Sequence, residues 1–240
     1  MFMQAVILSA GLGTRLRPLT DIMPKPMIPI DGKPMLEQNI LRFKKFGVRE
    51  FFINLHYLPD AIKSYFGDGS KLGVKIRYSL ESEILGTAGG LKKFEPHLDT
   101  NFFLMYGDIL SLVNYIKLYD FSTMKSDVIG VQRVGKTSYR ADADLVELDN
   151  NKKFVAVHAK GEPEKQIDYY AMRGIFILNK RIMKYIPENT YYEIGKQLIP
   201  DVMKRGEAFY GYECDEYSKG IDTMDKYKEA EEYYKKHKEG

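Results

Sequence analysis

Short apolar runs at residues 4–8, 51–55, 74–78 and 102–106 alternate with stretches whose apolar residues recur at helical spacing, near 35–46, 59–66 and 111–119. This alternation predicts a largely parallel sheet wrapped by helices. After residue 127 the pattern changes: strands are predicted at 128–134, 144–148, 154–158 and 174–178, separated by polar turns such as Asp149-Asn150-Asn151. Helices near 180–186 and 193–205 lead into a strand at 208–212, and a charged helix from 224 to about 236 closes the chain. No internal repeat or low-complexity linker interrupts the pattern. The 240 residues suit one α/β domain with a mixed, mostly parallel central sheet flanked by helices, and they are ample to bury a core. The change of pattern near residue 125 divides that domain into two halves.

Charge narrows the partners. With 36 basic and 33 acidic residues the net charge is +3, so no basic face suggests nucleic acid and any anion site must be local. A single cysteine, Cys214, excludes an intrachain disulfide, argues against a zinc site and agrees with a reducing cytoplasm. No apolar run has the length of a membrane span, and Met1-Phe2-Met3-Gln4 lacks the basic region of a signal peptide. A soluble, cytoplasmic protein is expected, with no nucleic-acid or membrane partner. Lys235-Lys236-His237-Lys238 is most simply a solvated helix end.

The densest candidate chemistry follows the first strand, where Ala5-Val6-Ile7-Leu8 empties into Ser9-Ala10-Gly11-Leu12-Gly13-Thr14-Arg15-Leu16. Gly11 and Gly13 leave backbone N–H groups uncovered, so a polyphosphate can approach closely, and Thr14 adds a hydroxyl. Arg15 can fork two phosphate oxygens, and Lys25, set between Pro24 and Pro26, offers a point charge on a stiff extended segment. A dinucleotide loop would place a third glycine where Leu16 stands, and a P-loop would end in Gly-Lys-Ser or Gly-Lys-Thr. This loop handles phosphate by other means. The strand at 102–106 ends in Gly107-Asp108, which sets Asp108 in the crevice beyond the strand ends, although Gly-Asp is also a common turn. Asp222 offers a second carboxylate for a hydrated Mg²⁺, or an N-cap for the helix starting near Met224.

The run over 5–34, with Pro18-Leu19-Thr20, Pro24-Lys25-Pro26-Met27-Ile28-Pro29-Ile30 and Gly32-Lys33-Pro34, resembles the signature of the sugar-1-phosphate nucleotidyltransferases. These join a nucleoside triphosphate to a sugar 1-phosphate, releasing pyrophosphate and giving an NDP-sugar. The resemblance implies a Rossmann-like nucleotide-diphospho-sugar transferase fold. Residues to about 125 become the nucleotide-binding half, and the remainder the sugar-binding half with the C-terminal helices. It implies Arg15 and Lys25 as the catalytic side chains, with nucleotide contacts from Leu8, Ala10, Gly11, Gly13, Thr14, Arg15, Glu81, Gly86 and Thr87. It implies Mg²⁺ on Asp108 and Asp222, sugar-phosphate contacts from Asp108, Glu147, Lys160 and Arg173, and a possible homodimer.

Within the segment 81–90, Glu81 falls where a Gln or Glu meets the base and Gly86 leaves backbone bare. A carboxylate only accepts, which suits the paired N1–H and N2–H₂ donors of guanine better than the mixed edge of uracil or thymine, although UTP-using members also carry Glu there. Thr87-Ala88-Gly89-Gly90 opens a short helix whose N-terminus can favour phosphate or simply pack tightly.

Acceptor binding departs from the common pattern. Glu-Lys-Pro becomes Ala159-Lys160-Gly161, preceded by His158, and an Asn-Ala-Gly or Asn-Gly-Gly triplet becomes Met172-Arg173-Gly174. Lys160 survives, Arg173 can meet the sugar phosphate or an acidic substituent, and Glu147 is either a sugar-hydroxyl ligand or an outward-facing strand acid. His158 is not needed as a base, because a sugar phosphate is already an anionic nucleophile. His-x-Lys together with Ala143-Asp144-Leu145-Val146-Glu147 is similar to the mannose- and manno-heptose-1-phosphate guanylyltransferases. GTP with such a sugar phosphate is therefore the leading expectation. UTP or dTTP is the nearest alternative, a cytidylyltransferase a more distant one, and a non-catalytic nucleotide-sugar-binding regulatory relative the alternative of another class.

Overall fold

The computed structural model describes residues 3–137, 144–158 and 169–237. They form two compact units, one from Met1–Ile84, Leu104–Tyr115 and Glu216–Gly240, the other from Leu85–Phe103 and Ile116–Asp215.

In the first unit, β1 (Met3–Leu8), β4 (Val48–Leu55) and β5 (Lys75–Leu80) run parallel side by side, with Ala5 opposite Phe51 and Phe51 opposite Ile76. The end of β6 (Asn101–Tyr106) lies on the other side of β1. Ala5, Val6, Ile7, Phe51, Phe52 and Ile53 are all fully buried, as expected of strands covered on both faces, which is why these segments read as unbroken apolar runs. A small ribbon of β2 (Pro29–Ile30) and β3 (Lys33–Pro34) precedes α2 (Met35–Lys45); the single turn α1 (Leu19–Ile22) and α3 (Pro59–Phe66) complete the early helices. α2 carries Glu37 in its first turn and Arg42, Lys44 and Lys45 in its last, each placed to oppose the helix dipole. Its Ile40 and Phe43 are fully buried.

Two late elements return to this unit. β13 (Ser218–Gly220) pairs antiparallel with β7 (Ile109–Ser111), and α7 (Met224–His237) follows. Ala230 of α7 is fully buried in a cluster with Leu16, Ile28, Ile30, Met35, Leu110 and Ile221, and Met224, Tyr227 and Tyr234 pack against it. The helix expected simply as charged thus has an apolar and tyrosine stripe, pinned by Tyr227 Oη to Pro29 C=O at 3.0 Å and Tyr234 Oη to Gln38 Oε1 at 2.7 Å.

In the second unit, β8 (Val128–Lys136) is flanked by β11 (Tyr170–Asn179), antiparallel, and β12 (Ala208–Glu213), parallel. β9 (Leu145–Leu148) pairs antiparallel with both β11 and β10 (Phe154–His158). The helices are α4 (Gly86–Lys92), α5 (Tyr115–Thr123) and α6 (Ile199–Lys204). The expected α/β class, with a mixed sheet flanked by helices, is present.

Three helix expectations are corrected. The one near 111–119 starts at Tyr115, because residues 109–111 are taken into β7. The one near 180–186 is a 3₁₀ turn, Lys180–Tyr185, capped by the Asn179 side chain accepting from Arg181 N–H at 3.0 Å. The one near 193–205 opens with a wide turn, Ile194–Leu198, in which Leu198 N–H reaches Glu193 C=O at 3.0 Å, before α6 begins. Pro200 has no N–H to donate back to Lys196, so regular α-helical bonding cannot run through this stretch.

Candidate active site

The strand order β6-β1-β4-β5 reverses direction at β1, and in open α/β sheets ligands sit beyond the carboxyl ends of strands at such a reversal. There, Gly107 N–H donates to Leu8 C=O at 2.7 Å. A Cβ on Gly107 would lie 2.5 Å from Ser9 Oγ and 2.7 Å from Leu8 O, so only glycine lets the two strand ends meet. Leu8 and Ala10 are buried beneath the loop, while Gly11 borders open space. Gly13 takes a left-handed conformation (φ +67°), which favours glycine. Its C=O accepts from Leu16 N–H and Thr20 Oγ1, both at 2.9 Å. Thr14 and Arg15 then stand exposed on a single turn, Thr14–Leu16. Leu16, in the place of a dinucleotide loop's third glycine, is the apolar peg that fixes this turn to the core.

Lys25 is buried, and it begins a 3₁₀ turn, Lys25–Met27, rather than lying on the extended segment its prolines suggested. Pro24 itself is extended, but Ile28 N–H closes back on Lys25 C=O at 3.2 Å. Lys25 Nζ donates to Asp108 Oδ2 at 2.7 Å. Asp222 is brought alongside by the β7–β13 ribbon, which continues as Ile221 N–H to Asp108 C=O at 2.8 Å. Arg15 Nη1 meets Asp222 Oδ2 at 2.7 Å and Lys226 Nζ meets Oδ1 at 2.9 Å. Burial pushes the Asp222 carboxyl up, but Lys226, Arg15 and Lys25 together outweigh it and hold it below the usual carboxylate range. The cap of α7 is Thr223, whose Oγ1 accepts from Lys226 N–H at 3.4 Å. Asp222 instead belongs to the ionic cluster.

Arg15, Lys25, Asp108 and Asp222 therefore come together in one unit. Among the described residues no group of three or more His, Cys, Asp or Glu side chains is placed to hold a metal. Two carboxylates with no nitrogen or sulfur donor nevertheless fit Mg²⁺, which takes one or two carboxylates and completes its shell with substrate phosphates and water.

Glu81 follows β5 and is buried rather than solvated. Its Oε1 accepts from Asn54 Nδ2 at 2.6 Å, and Asn54 Oδ1 accepts from Ser9 N–H at 2.7 Å. Asn54 thus ties the expected base-reading carboxylate to the first residue of the glycine loop. In the second unit, Gly86 opens α4 with φ +73° where the backbone of Tyr192 crosses, 2.7 Å from where its Cβ would stand. The amides of Ala88 and Gly89 donate to Tyr192 C=O, and Thr87 Oγ1 donates to Glu193 Oε2 at 2.7 Å while accepting from Ile194 N–H. Tight packing, one of the two expected roles of this helix start, is thus present. Glu147 on β9 is held by His158 Nε2 at 2.6 Å, and the imidazole stands edge-on to Tyr169. Arg173 sits in an irregular part of β11 beside Arg133. Lys160 and Ala159 lie outside the described residues.

Sequence reasoning passed over Asn54, Lys226 and Arg133. A lone amide at the end of the apolar run Phe51-Phe52-Ile53, and a lysine four residues after Asp222, were the available signals for the first two.

A family model described as Nucleotidyl transferase matches residues 4–237, and the chain belongs to that family. The UTP--glucose-1-phosphate uridylyltransferase of Synechocystis sp. is 34% identical over 232 residues, covering 89% of this chain and 58% of the relative. The chain therefore spans little more than half of that protein. The D-glycero-alpha-D-manno-heptose 1-phosphate guanylyltransferase of Aneurinibacillus thermoaerophilus is 30% identical over 232 residues, covering 95% of this chain and 97% of the relative. The crystal structure of HddC from Yersinia pseudotuberculosis shares the fold, with a TM-score of 0.81 at 24% identity over 97% of this chain and 100% of that one.

Proposed function

We propose that the protein transfers a nucleotidyl group from a nucleoside triphosphate to a sugar 1-phosphate, with GTP and a mannose- or manno-heptose-type phosphate as the leading pair. The observation that carries this is the alternating cluster of Lys25, Asp108, Arg15 and Asp222 beside the glycine loop. Nucleotidyl transfer needs little beyond positioning and compensation of moving charge, which is what such a set provides. A phosphate oxygen of the sugar 1-phosphate forms the new bond to the α-phosphorus, and the bond from that phosphorus to the bridging oxygen breaks. Pyrophosphate leaves with that electron pair.

Gly11, Gly13 and Thr14 present N–H and hydroxyl donors to the triphosphate, Arg15 forks its oxygens, and Lys25 compensates charge near the α-phosphate. Asp108 and Asp222 are the side chains that would hold Mg²⁺, which when bound neutralises triphosphate charge. Lys160 and Arg173 are assigned to the acceptor. The manno-heptose guanylyltransferase relative and the acceptor-only carboxylate of Glu81 support guanine. A uridylyl reading is favoured by the Synechocystis relative. A purely regulatory binder would not require the whole charge-handling set.

The test is pyrophosphate release with Mg²⁺ across GTP, UTP, dTTP, CTP and ATP against mannose, manno-heptose, glucose and N-acetylglucosamine 1-phosphates. Release that requires both a nucleotide and a sugar phosphate is expected. Nucleotide binding without release in any pairing would overturn the reading.

A further inference from the structure

Asp222 carries a cation on each carboxylate oxygen, Arg15 Nη1 at 2.7 Å from Oδ2 and Lys226 Nζ at 2.9 Å from Oδ1. The two are not held alike. Arg15 projects from the three-residue turn Thr14–Leu16, and 66% of its side chain is exposed. Water can solvate that guanidinium as it leaves, and exposed ion pairs hold weakly. Lys226, with 32% of its side chain exposed, stands on α7 in the same unit. There the adjacent Tyr227 bonds Pro29 C=O and Ala230, one turn on, is buried in the core. Arg15 is therefore the partner that can be exchanged, and Lys226 the one that stays.

Helix stability does not explain this lysine. α7 begins at Met224, so Lys226 is its third residue and lies in the first turn, where the helix dipole favours an anion over a cation. With Thr223 as cap, Glu or Gln at the position of Lys226 would close a reciprocal capping box. The chain has Thr223-Met224-Asp225-Lys226 instead. What the lysine does reach is Asp222. The Asp222 side chain is only 19% exposed, and a largely buried charge left without a partner is strongly unfavourable. Arg15 can leave Asp222 for another anion only if a second cation remains behind. Without that cation the carboxylate would also repel an incoming polyphosphate and compete with it for Arg15.

We infer that Lys226 is a positioning residue: it retains and neutralises Asp222, so that Arg15 can exchange this carboxylate for a polyphosphate. That the polyphosphate belongs to a nucleoside triphosphate rests on the proposed function; the exchange itself does not.

Isothermal titration calorimetry of the full chain in EDTA, at constant ionic strength and with inorganic tripolyphosphate as the probe, keeps metal and turnover out of the measurement. Wild type is compared with Lys226→Gln, Lys226→Arg, Asp222→Asn and the double variant Lys226→Gln/Asp222→Asn. Lys226→Gln is expected to bind about tenfold more weakly, a change of about 1.4 kcal/mol, whereas Lys226→Arg restores binding. Asp222→Asn should bind more tightly than wild type, because Arg15 then has no competing carboxylate. In that background Lys226→Gln should weaken binding by less than about threefold, since the charge it neutralised is gone. Gln completes the capping box, so Lys226→Gln should melt no lower than wild type. Affinity and Tm thus move apart, which a merely structural role would not produce.

No binding of tripolyphosphate to wild type or to Asp222→Asn, or equal binding by wild type and Lys226→Gln, overturns the inference. So does a tenfold loss that persists in the Asp222→Asn background, which would make Lys226 a direct phosphate contact, or a loss of affinity accompanied by a lower Tm. The expected shifts in a protein that releases pyrophosphate from no substrate pair would sink the proposed reaction and leave Lys226 its role. Pyrophosphate release by wild type, with Lys226→Gln binding tripolyphosphate as wild type does, would do the reverse.

Discussion

Replacing Asn54 by leucine removes a single buried amide of similar size and tests whether the Glu81 carboxylate and the glycine loop are one structural unit. Asn54 and Glu81 are 2% and 4% exposed, so water cannot readily replace what the amide supplies. Ser9 N–H loses its acceptor at 2.7 Å and Glu81 Oε1 loses a donor at 2.6 Å. A buried polar group deprived of a partner costs about 1–3 kcal/mol, so the two together should cost about 2–6 kcal/mol. For a chain of this size that is a fall in Tm of roughly 5–20 °C.

The neighbouring Ile53→Val, a purely apolar trim in the same fully buried strand segment, should cost only about 0.5–1.5 kcal/mol. Adding Glu81→Leu to Asn54→Leu removes both polar groups at once, and the double variant should fall short of the summed single effects by about 1 kcal/mol or more. Urea and thermal denaturation measure wild type and all four variants. In the same series the KM for nucleoside triphosphate should rise about tenfold in Asn54→Leu, a change of about 1.4 kcal/mol. Asn54→Leu within 0.5 kcal/mol of wild type, or strict additivity with Glu81→Leu, would refute the link.

Thr223→Ala should destabilise the protein by about 1 kcal/mol in urea denaturation through loss of the α7 cap, whereas an unchanged midpoint would remove Thr223 from that role. Glu50, Glu207 and Asp222 all sit below the ordinary carboxylate range. At Glu50 burial acts upward but hydrogen bonds from Gln4, Lys75 and Arg77 prevail; at Glu207 the bond from Tyr185 leads. Because folded-state values lie below unfolded ones, their stabilisation is complete above about pH 4–5 and is lost as pH falls through the folded-state values. Tm should accordingly stay level from pH 8 to about 5 and drop below about 4, with Glu50→Gln showing a shallower drop; a maximum of Tm near pH 4 would contradict this.

The parts of the fold legible in the sequence were those where one force dominates. β1, β4 and β6 announce themselves because both faces are buried, leaving no polar alternation to confuse them. Gly11, Gly13, Arg15 and Lys25 were legible as candidates because the proposed phosphate handling would demand uncovered amides and fixed cations in one short stretch. What stayed hidden depends on partners far along the chain. β7 is three residues long and exists because β13 returns to pair with it. The stripe of α7 is carried by Tyr227, Ala230 and Tyr234 among many charges, and only its docking on Leu16 and its neighbours reveals it. Asn54 looked like an interruption of an apolar strand until Ser9 and Glu81 were placed around it. Arg133 gave no signal, because the register break that turns Arg173 toward it is a property of two strands paired, not of either alone.

The most direct measurement is pyrophosphate release by Lys25→Ala with the nucleotide and sugar phosphate that wild type uses, alongside its Tm. Lys25 is buried, but its partner Asp108 is 38% exposed at the side chain, so water can take over much of the lost pairing and the fold should survive. If Lys25 compensates charge at the α-phosphate, release should fall about 10²–10³-fold, the loss typical of one preorganised electrostatic contact. Release at the wild-type rate by a folded Lys25→Ala protein would contradict the account.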